Sequence, residues 1–240
     1  MNWKKTTVYF IWQSVRRAES WQQFVQFWSY RKPWLASFQK GRNSIADELP
    51  WLPFHAQAFL KDQLQPSFKV FEFGGGGSTL FFCKHAGEVV TVEDHEEWFS
   101  TLTQMVKTKN YPNWVGHLKK PEPFTGKQAR SPQNPADFMS GAKGLENLSF
   151  ESYARTIDQY PNDYFDLILV DGRSRPSCIC LAMPHLKPGG LLVVDNTERP
   201  YYLAAFEKEF AANYTREMNT FFPVAYTPDF TRTTILRKKQ

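Results

Sequence analysis

Long apolar runs are missing from this chain. No stretch of its 240 residues approaches the ~20 uninterrupted apolar positions that cross a bilayer, and the N-terminus has no cleavable signal pattern; a soluble, cytoplasmic protein is expected. Cysteine is scarce as well. Cys83, Cys178 and Cys180 are an odd number, and Cys-x-Cys alone supplies too few ligands for zinc, so a reducing compartment fits better than a disulfide framework. Extended basic runs are absent. Lys and Arg number 29 against 24 Asp and Glu, and the nearest approach to a run is Arg237-Lys238-Lys239, so no nucleic-acid partner is expected. Glycine is thin at 13 residues, yet four of these stand in one row.

That row sits in residues 69–79, Lys-Val-Phe-Glu-Phe-Gly-Gly-Gly-Gly-Ser-Thr. Glycine tolerates positive φ and has no Cβ, so a strand can break sharply here and lay its amides against a nucleotide-like ligand. Around it the pattern predicts strands over 68–73, 89–92, 113–118, 165–170 and 191–194. Helices are predicted over 49–64, 79–84, 96–108, 149–159, 177–185 and 201–213, and 221–226 with 233–237 reads as a closing hairpin. Such alternation requires right-handed crossovers and a mostly parallel sheet covered on both faces, with its ligand at the carboxyl ends of the strands. Chemistry is therefore expected at Glu72–Thr79, Glu93–His95, Asp171–Arg175 and Asp195–Asn196.

The 42% hydrophobic content suffices for one core, read as a main domain over 49–240 preceded by an aromatic-rich helical extension over 1–48. In the extension Phe24, Phe27 and Trp28 form a stripe at helical spacing. It is expected to pack on the main domain or on a second copy in a homo-oligomer, the alternative being an interfacial amphipathic helix touching a membrane surface or a partner. Residues 119–148, rich in Pro, Gly, Lys, Ser and Asn, are expected to form a mobile lid near the site.

The glycines do not fit a dinucleotide fingerprint, because the third glycine position falls on Thr79 or Leu80, and no Gly-Lys-Ser/Thr follows for a phosphate loop. The pattern Glu72-x-Gly74-x-Gly76-x-Ser78 instead resembles the first motif of the class I S-adenosylmethionine-dependent methyltransferases. Glu93 follows about twenty residues later, where an acid takes ribose hydroxyls. Phe165-Asp166-Leu167-Ile168-Leu169-Val170-Asp171-Gly172 and Leu186-Lys187-Pro188-Gly189-Gly190-Leu191 resemble that family's later strand motifs. The resemblance covers roughly 50–237. It implies an α/β three-layer sandwich whose mostly parallel seven-stranded sheet ends in an antiparallel hairpin, and S-adenosylmethionine as cofactor. Its implied contacts are Glu72, Phe73, Gly74, Gly75, Gly76, Ser78, Thr79, Glu93, Asp94 and Asp171. The family's acid after the third strand is missing, and aromatic or amide side chains near Phe150 and Tyr153, or the backbone of the 119–148 loop, are candidates for the adenine.

Asp171, Asp195 and Asn196 resemble the metal triad of catechol-type O-methyltransferases, which implies Mg²⁺, although no lysine follows the first aspartate. Asp195-Asn196 also reads as a simple turn pair. Asp171 is a candidate catalytic residue, His95 a candidate base, and Arg173 and Arg175 candidate readers of an anionic or polyhydroxylated small-molecule acceptor. The leading expectation is methyl transfer to a small molecule at oxygen. The alternatives are a macromolecular acceptor or a non-catalytic binding module.

Overall fold

The structure, a computed structural model, describes residues 3–240; the first two residues of the extension lie outside it. Three helices open the chain, α1 (Trp3–Arg17), α2 (Trp21–Ser29) and α3 (Arg31–Ala36), followed by α4 (Ser44–Asp47) and α5 (Phe54–Gln63). The helix expected from 49 begins only after Pro53, because a residue before proline is pushed out of the helical region and Pro50 and Pro53 extend this stretch. Next come β1 (Lys69–Phe73), α6 (Gly77–His85), β2 (Glu88–Glu93), α7 (Glu96–Thr108) and β3 (Trp114–Leu118). Helix α6 starts inside the glycine row, two residues before the expected start at Thr79.

Residues 119–148 make contacts of their own. Short strands β4 (Glu122–Pro123) and β5 (Leu148–Ser149) pair antiparallel, and Arg130 donates to the carbonyls of Asp137 (2.7 Å) and Leu148 (3.1 Å). Helix α8 (Glu151–Ala154) tightens into a 3-10 turn over Arg155–Gln159. The remaining elements are β6 (Phe165–Val170), α9 (Arg175–His185), β7 (Leu186–Val194), α10 (Glu207–Asn213), β8 (Tyr214–Pro223) and β9 (Phe230–Lys238). The helix expected over 201–213 is two 3-10 turns leading into α10.

The main sheet runs β3-β2-β1-β6-β7-β9-β8, with every pair parallel except those involving β9. Alternation along the strands divides the core. Phe71, Phe73, Ile168, Val170, Leu192 and Val194 face α8, α9 and α10, whereas Val70, Leu167, Leu169 and Val193 face α5 and α6. Both faces are apolar, as a parallel sheet covered on both sides demands. The extension packs on the closing hairpin. Phe10, Phe27 and Trp34 meet Phe222 and Phe230, and the Trp34 indole donates to the Thr227 carbonyl at 3.0 Å. Reversal of strand order between β1 and β6 leaves a crevice at their carboxyl ends.

Candidate active site

A cavity of about 620 Å³ opens over the glycine row, between the ends of β1 and β2 and the turn after β6. Each of the four glycines answers a different demand. Gly74 holds φ +92°, and a Cβ there would lie 2.8 Å from Gly172 Cα, so the row packs directly against the turn after β6. A Cβ on Gly75 would meet Leu102 and Thr91 side chains at 2.6 and 2.7 Å. On Gly77 it would lie 2.2 Å from the Ser44 carbonyl and 2.3 Å from that of Leu49, so the start of α6 rests on the backbone around α4. Gly76 faces the cavity, with only the Trp98 ring within 4 Å, at 3.7 Å.

Beneath the row lies Glu72, fully buried. Its carboxylate accepts from Ser78 Oγ (2.7 Å), Thr91 Oγ1 (2.7 Å) and Thr79 Oγ1. Burial pushes the group up to about 7, and the three hydroxyls only partly offset that cost. Glu72, Phe73 and Thr79 therefore do not line the cavity, contrary to the contacts expected of them. Glu72 shapes the turn through Ser78 and Thr79, Thr79 Oγ1 in turn accepts from Gly76 N at 3.0 Å, and Phe73 is a core side chain. Gly74, Gly75, Gly76, Ser78, Glu93, Asp94, His95, Asp171 and Arg173 do line it.

Glu93 is held rigidly at the end of β2. One oxygen accepts from the amides of Asp94 and His95, each at 3.0 Å, and the other from Gly75 N at 3.0 Å. That second oxygen keeps an unused lone pair beside the cavity. Burial raises the group, and the amide donors pull it back. His95 caps α7, its Nδ1 accepting from Trp98 N at 3.4 Å. Trp98 donates its indole N–H to the Gly75 carbonyl at 2.7 Å, and its ring flanks the cavity with Trp51. Neither tryptophan was among the sequence candidates. Phe150 and Tyr153, which were, are buried in the core under Phe73 and reach no cavity.

Arg175, expected to read the acceptor, lines a cavity under residues 139–142 but turns its guanidinium into the fold. Its guanidinium, buried at the start of α9, donates to Asp171 Oδ1 (2.9 Å) and to the carbonyls of Asp171 (3.0 Å), Gly172 (3.2 Å) and Asp195. All three guanidinium nitrogens thus donate within the fold, as a planar fork permits. Arg173 by contrast is half exposed, reaching Asp94 at 3.6 Å across the mouth of the cavity. Asp195 is buried with one oxygen taken by Thr233 Oγ1 (2.5 Å), and burial beside the Asp171 charge pushes it up to about 8. Asn196 stands in a left-handed turn at φ +55°, a conformation asparagine tolerates. Asp171, Asp195 and Asn196 line one cavity, but Asp171 Oδ1 is paired with Arg175 and Asp195 Oδ1 is taken by Thr233 Oγ1, which leaves few free anionic oxygens for a hard dication such as Mg²⁺ in this arrangement.

A second cavity of about 400 Å³ adjoins the first. Trp51 and Asp171 line both, and the second is completed by Asp195, Asn196, Glu198, Arg199, Arg17 of α1 and Thr231 of β9. A third, of about 250 Å³, lies under residues 139–142 of the 119–148 loop, with Arg173, Arg199 and Tyr201 in its wall.

No protein-family model matches the chain, and no curated protein is similar to it in sequence. The strand order, with its glycine turn after β1 and antiparallel β9, is the fold of the class I S-adenosylmethionine-dependent methyltransferases. Solved structures make the likeness specific. The O-methyltransferase TomG of Streptomyces achromogenes, involved in tomaymycin synthesis and solved with S-adenosylmethionine, is 15% identical over 100% of both chains, with a TM-score of 0.54. An O-methyltransferase from Bacillus cereus, solved with S-adenosylhomocysteine, is 17% identical over 82% of this chain and 87% of its own, also at 0.54. A putative rRNA methylase from Clostridium thermocellum is 12% identical over 78% of this chain and 94% of its own, at 0.53. Since these proteins differ in what they act on, the shared fold leaves the acceptor open.

Proposed function

We propose that this chain is a methyltransferase that takes S-adenosylmethionine in the first cavity and a small, polar hydroxyl acceptor in the second. The observation that carries this reading is the pair of adjoining cavities meeting at Asp171 and Trp51. The residues of the first cavity fit the cofactor. The free lone pair of Glu93 suits a ribose hydroxyl, the amides at the start of α6 suit a carboxylate, and the Trp98 and Trp51 rings offer faces for a base.

When bound, S-adenosylmethionine supplies a methyl carbon activated by its sulfonium. The protein's work is alignment and removal of one proton. The acceptor oxygen forms the bond to the methyl carbon, the carbon–sulfur bond breaks, and the proton is left for a neighbouring carboxylate. Asp171 is the group at the junction. Burial raises both acids, and raises Asp195 further through the Asp171 charge, while the Arg175 guanidinium pulls Asp171 back toward its ionised form, so Asp171 is the carboxylate assigned the acceptor's proton. Arg17 and Arg199 line the second cavity together with Asp171, Asp195, Glu198 and Asp229, a mixed set of donors and acceptors that suits a polar, hydroxylated acceptor. His95 caps α7 and is a weaker candidate base.

The test is transfer of labelled methyl from S-adenosylmethionine to a panel of phenolic and hydroxylated carboxylic acids, with RNA and protein as parallel acceptors. Label in the small-molecule fraction, reduced at least tenfold by Asp171→Asn, supports the reading. Label found only in RNA or protein overturns the acceptor class, and absence of cofactor binding overturns the enzyme.

A further inference from the structure

The amphipathicity of α1 is inverted. Phe10, Gln13 and Ser14 face the domain and are buried, whereas Val8, Ile11, Trp12 and Val15, at i, i+3, i+4 and i+7, form an apolar stripe exposed by 39–67%. Helix α2 continues the pattern. Phe27 and Gln23 turn inward, and Trp21, Val25 and Trp28 stand outward at 75%, 52% and 38% exposure. An apolar helix stripe turned away from an available core has no role within the domain.

Charge says what covers it. Residues 1–43 hold eight Lys or Arg against one acid, Glu19, a net of +7, so the other 197 residues sum to −2; even with Arg17 turned to the second cavity and Arg42 paired with Asp47, this end keeps the chain's positive surplus. Cations stand directly against the exposed indoles, with Arg16 4.9 Å from the Trp12 ring and Arg31 5.8 Å from that of Trp28. A second copy would bring two strongly basic segments together across a twofold axis, which like charges oppose. Nucleic acid offers no apolar surface for Val8, Ile11 and Val15. An anionic phospholipid surface satisfies all three features, with tryptophan at the interface, aliphatic side chains just below it and Arg or Lys at the headgroups.

We propose that the outer face of α1 and α2 docks the protein on an anionic phospholipid surface. The test is co-sedimentation of the full chain with vesicles of phosphatidylcholine, alone or with about 30 mol% phosphatidylglycerol. Binding should require phosphatidylglycerol and weaken about tenfold or more between about 50 and 500 mM NaCl. Trp12→Ser with Val15→Ser should weaken it at least tenfold. Arg16→Gln, which leaves the apolar stripe intact, should weaken it by about fivefold. Both variants should bind S-adenosylhomocysteine as the parent does, which separates docking from loss of fold and from failure of the proposed activity. Three outcomes overturn the proposal: no binding to either vesicle, equal binding to both, or parent-like binding by the double variant. A dimer in light scattering that the double variant splits would also overturn it, by assigning the face to a second copy.

Discussion

Two adjacent glycines are expected to fail in opposite ways. At Gly77 a methyl group would sit 2.2 and 2.3 Å from the carbonyl oxygens of Ser44 and Leu49, about 1 Å inside contact, and both neighbours are backbone. Alanine is the better helix former by about 1 kcal/mol, which offsets only part of an overpacking cost of about 1–3 kcal/mol. Since α4 must move, the upper part of that range applies, and Gly77→Ala should lose about 2 kcal/mol. In a domain of this size that lowers Tm by about 4–8 °C. Gly76→Ala meets nothing nearer than the Trp98 ring at 3.7 Å, and its extended backbone suits alanine. It should melt within about 2 °C of the parent. Its methyl, however, stands on the floor of the first cavity, and S-adenosylhomocysteine affinity should fall about tenfold, or about 1.4 kcal/mol. Differential scanning fluorimetry and isothermal titration calorimetry read the two effects separately. A Gly77→Ala protein that melts with the parent, or a Gly76→Ala protein that binds as the parent does, refutes this account of the turn.

Arg175→Met should be among the most destabilising single changes, by about 3–5 kcal/mol in urea unfolding, since it leaves Asp171 charged and unpaired and three carbonyls without a donor. Glu72, at about 7 in the fold against an ordinary 4.5, contributes stability that is complete below 4.5 and lost as pH rises through 7. Glu72→Gln should therefore show a flatter dependence of Tm on pH between about 5 and 8 than the parent. Methyl transfer should be unchanged by a chelator, because Arg175 supplies the positive charge at the Asp171 site; activity lost to EDTA and restored by Mg²⁺ would contradict that.

Much of the fold was legible because its evidence is local. Glu96–Thr108 carries its own helical period, and Phe165–Val170 its own apolar run between polar ends. Asp171 and Glu93 were legible as chemical groups because strand ends in a parallel sheet are where ligands sit. The rest depends on contacts distant in sequence. Nothing near Trp51 announces that a residue before β1 closes the cavity, and nothing in Gly77 announces the carbonyls of Ser44 and Leu49. Asp171-Gly172-Arg173-Ser174-Arg175 offers two arginines of equal promise. Only the turn at Ser174, at φ +46°, sends one inward to Asp195 and leaves the other half exposed toward Asp94. Trp98 was within reach of sequence reasoning, since an aromatic in the first turn of the helix that follows Glu93 stands beside the same strand end and so beside the cavity.

The most direct measurement is titration of the full chain with S-adenosylhomocysteine, alongside Glu93→Ala. Saturable one-to-one binding that weakens about tenfold or more in the variant, while both proteins melt cooperatively, is the expected result. A folded parent that gives no binding heat and no ligand-induced rise in Tm would contradict the claim that this glycine turn is built for that cofactor.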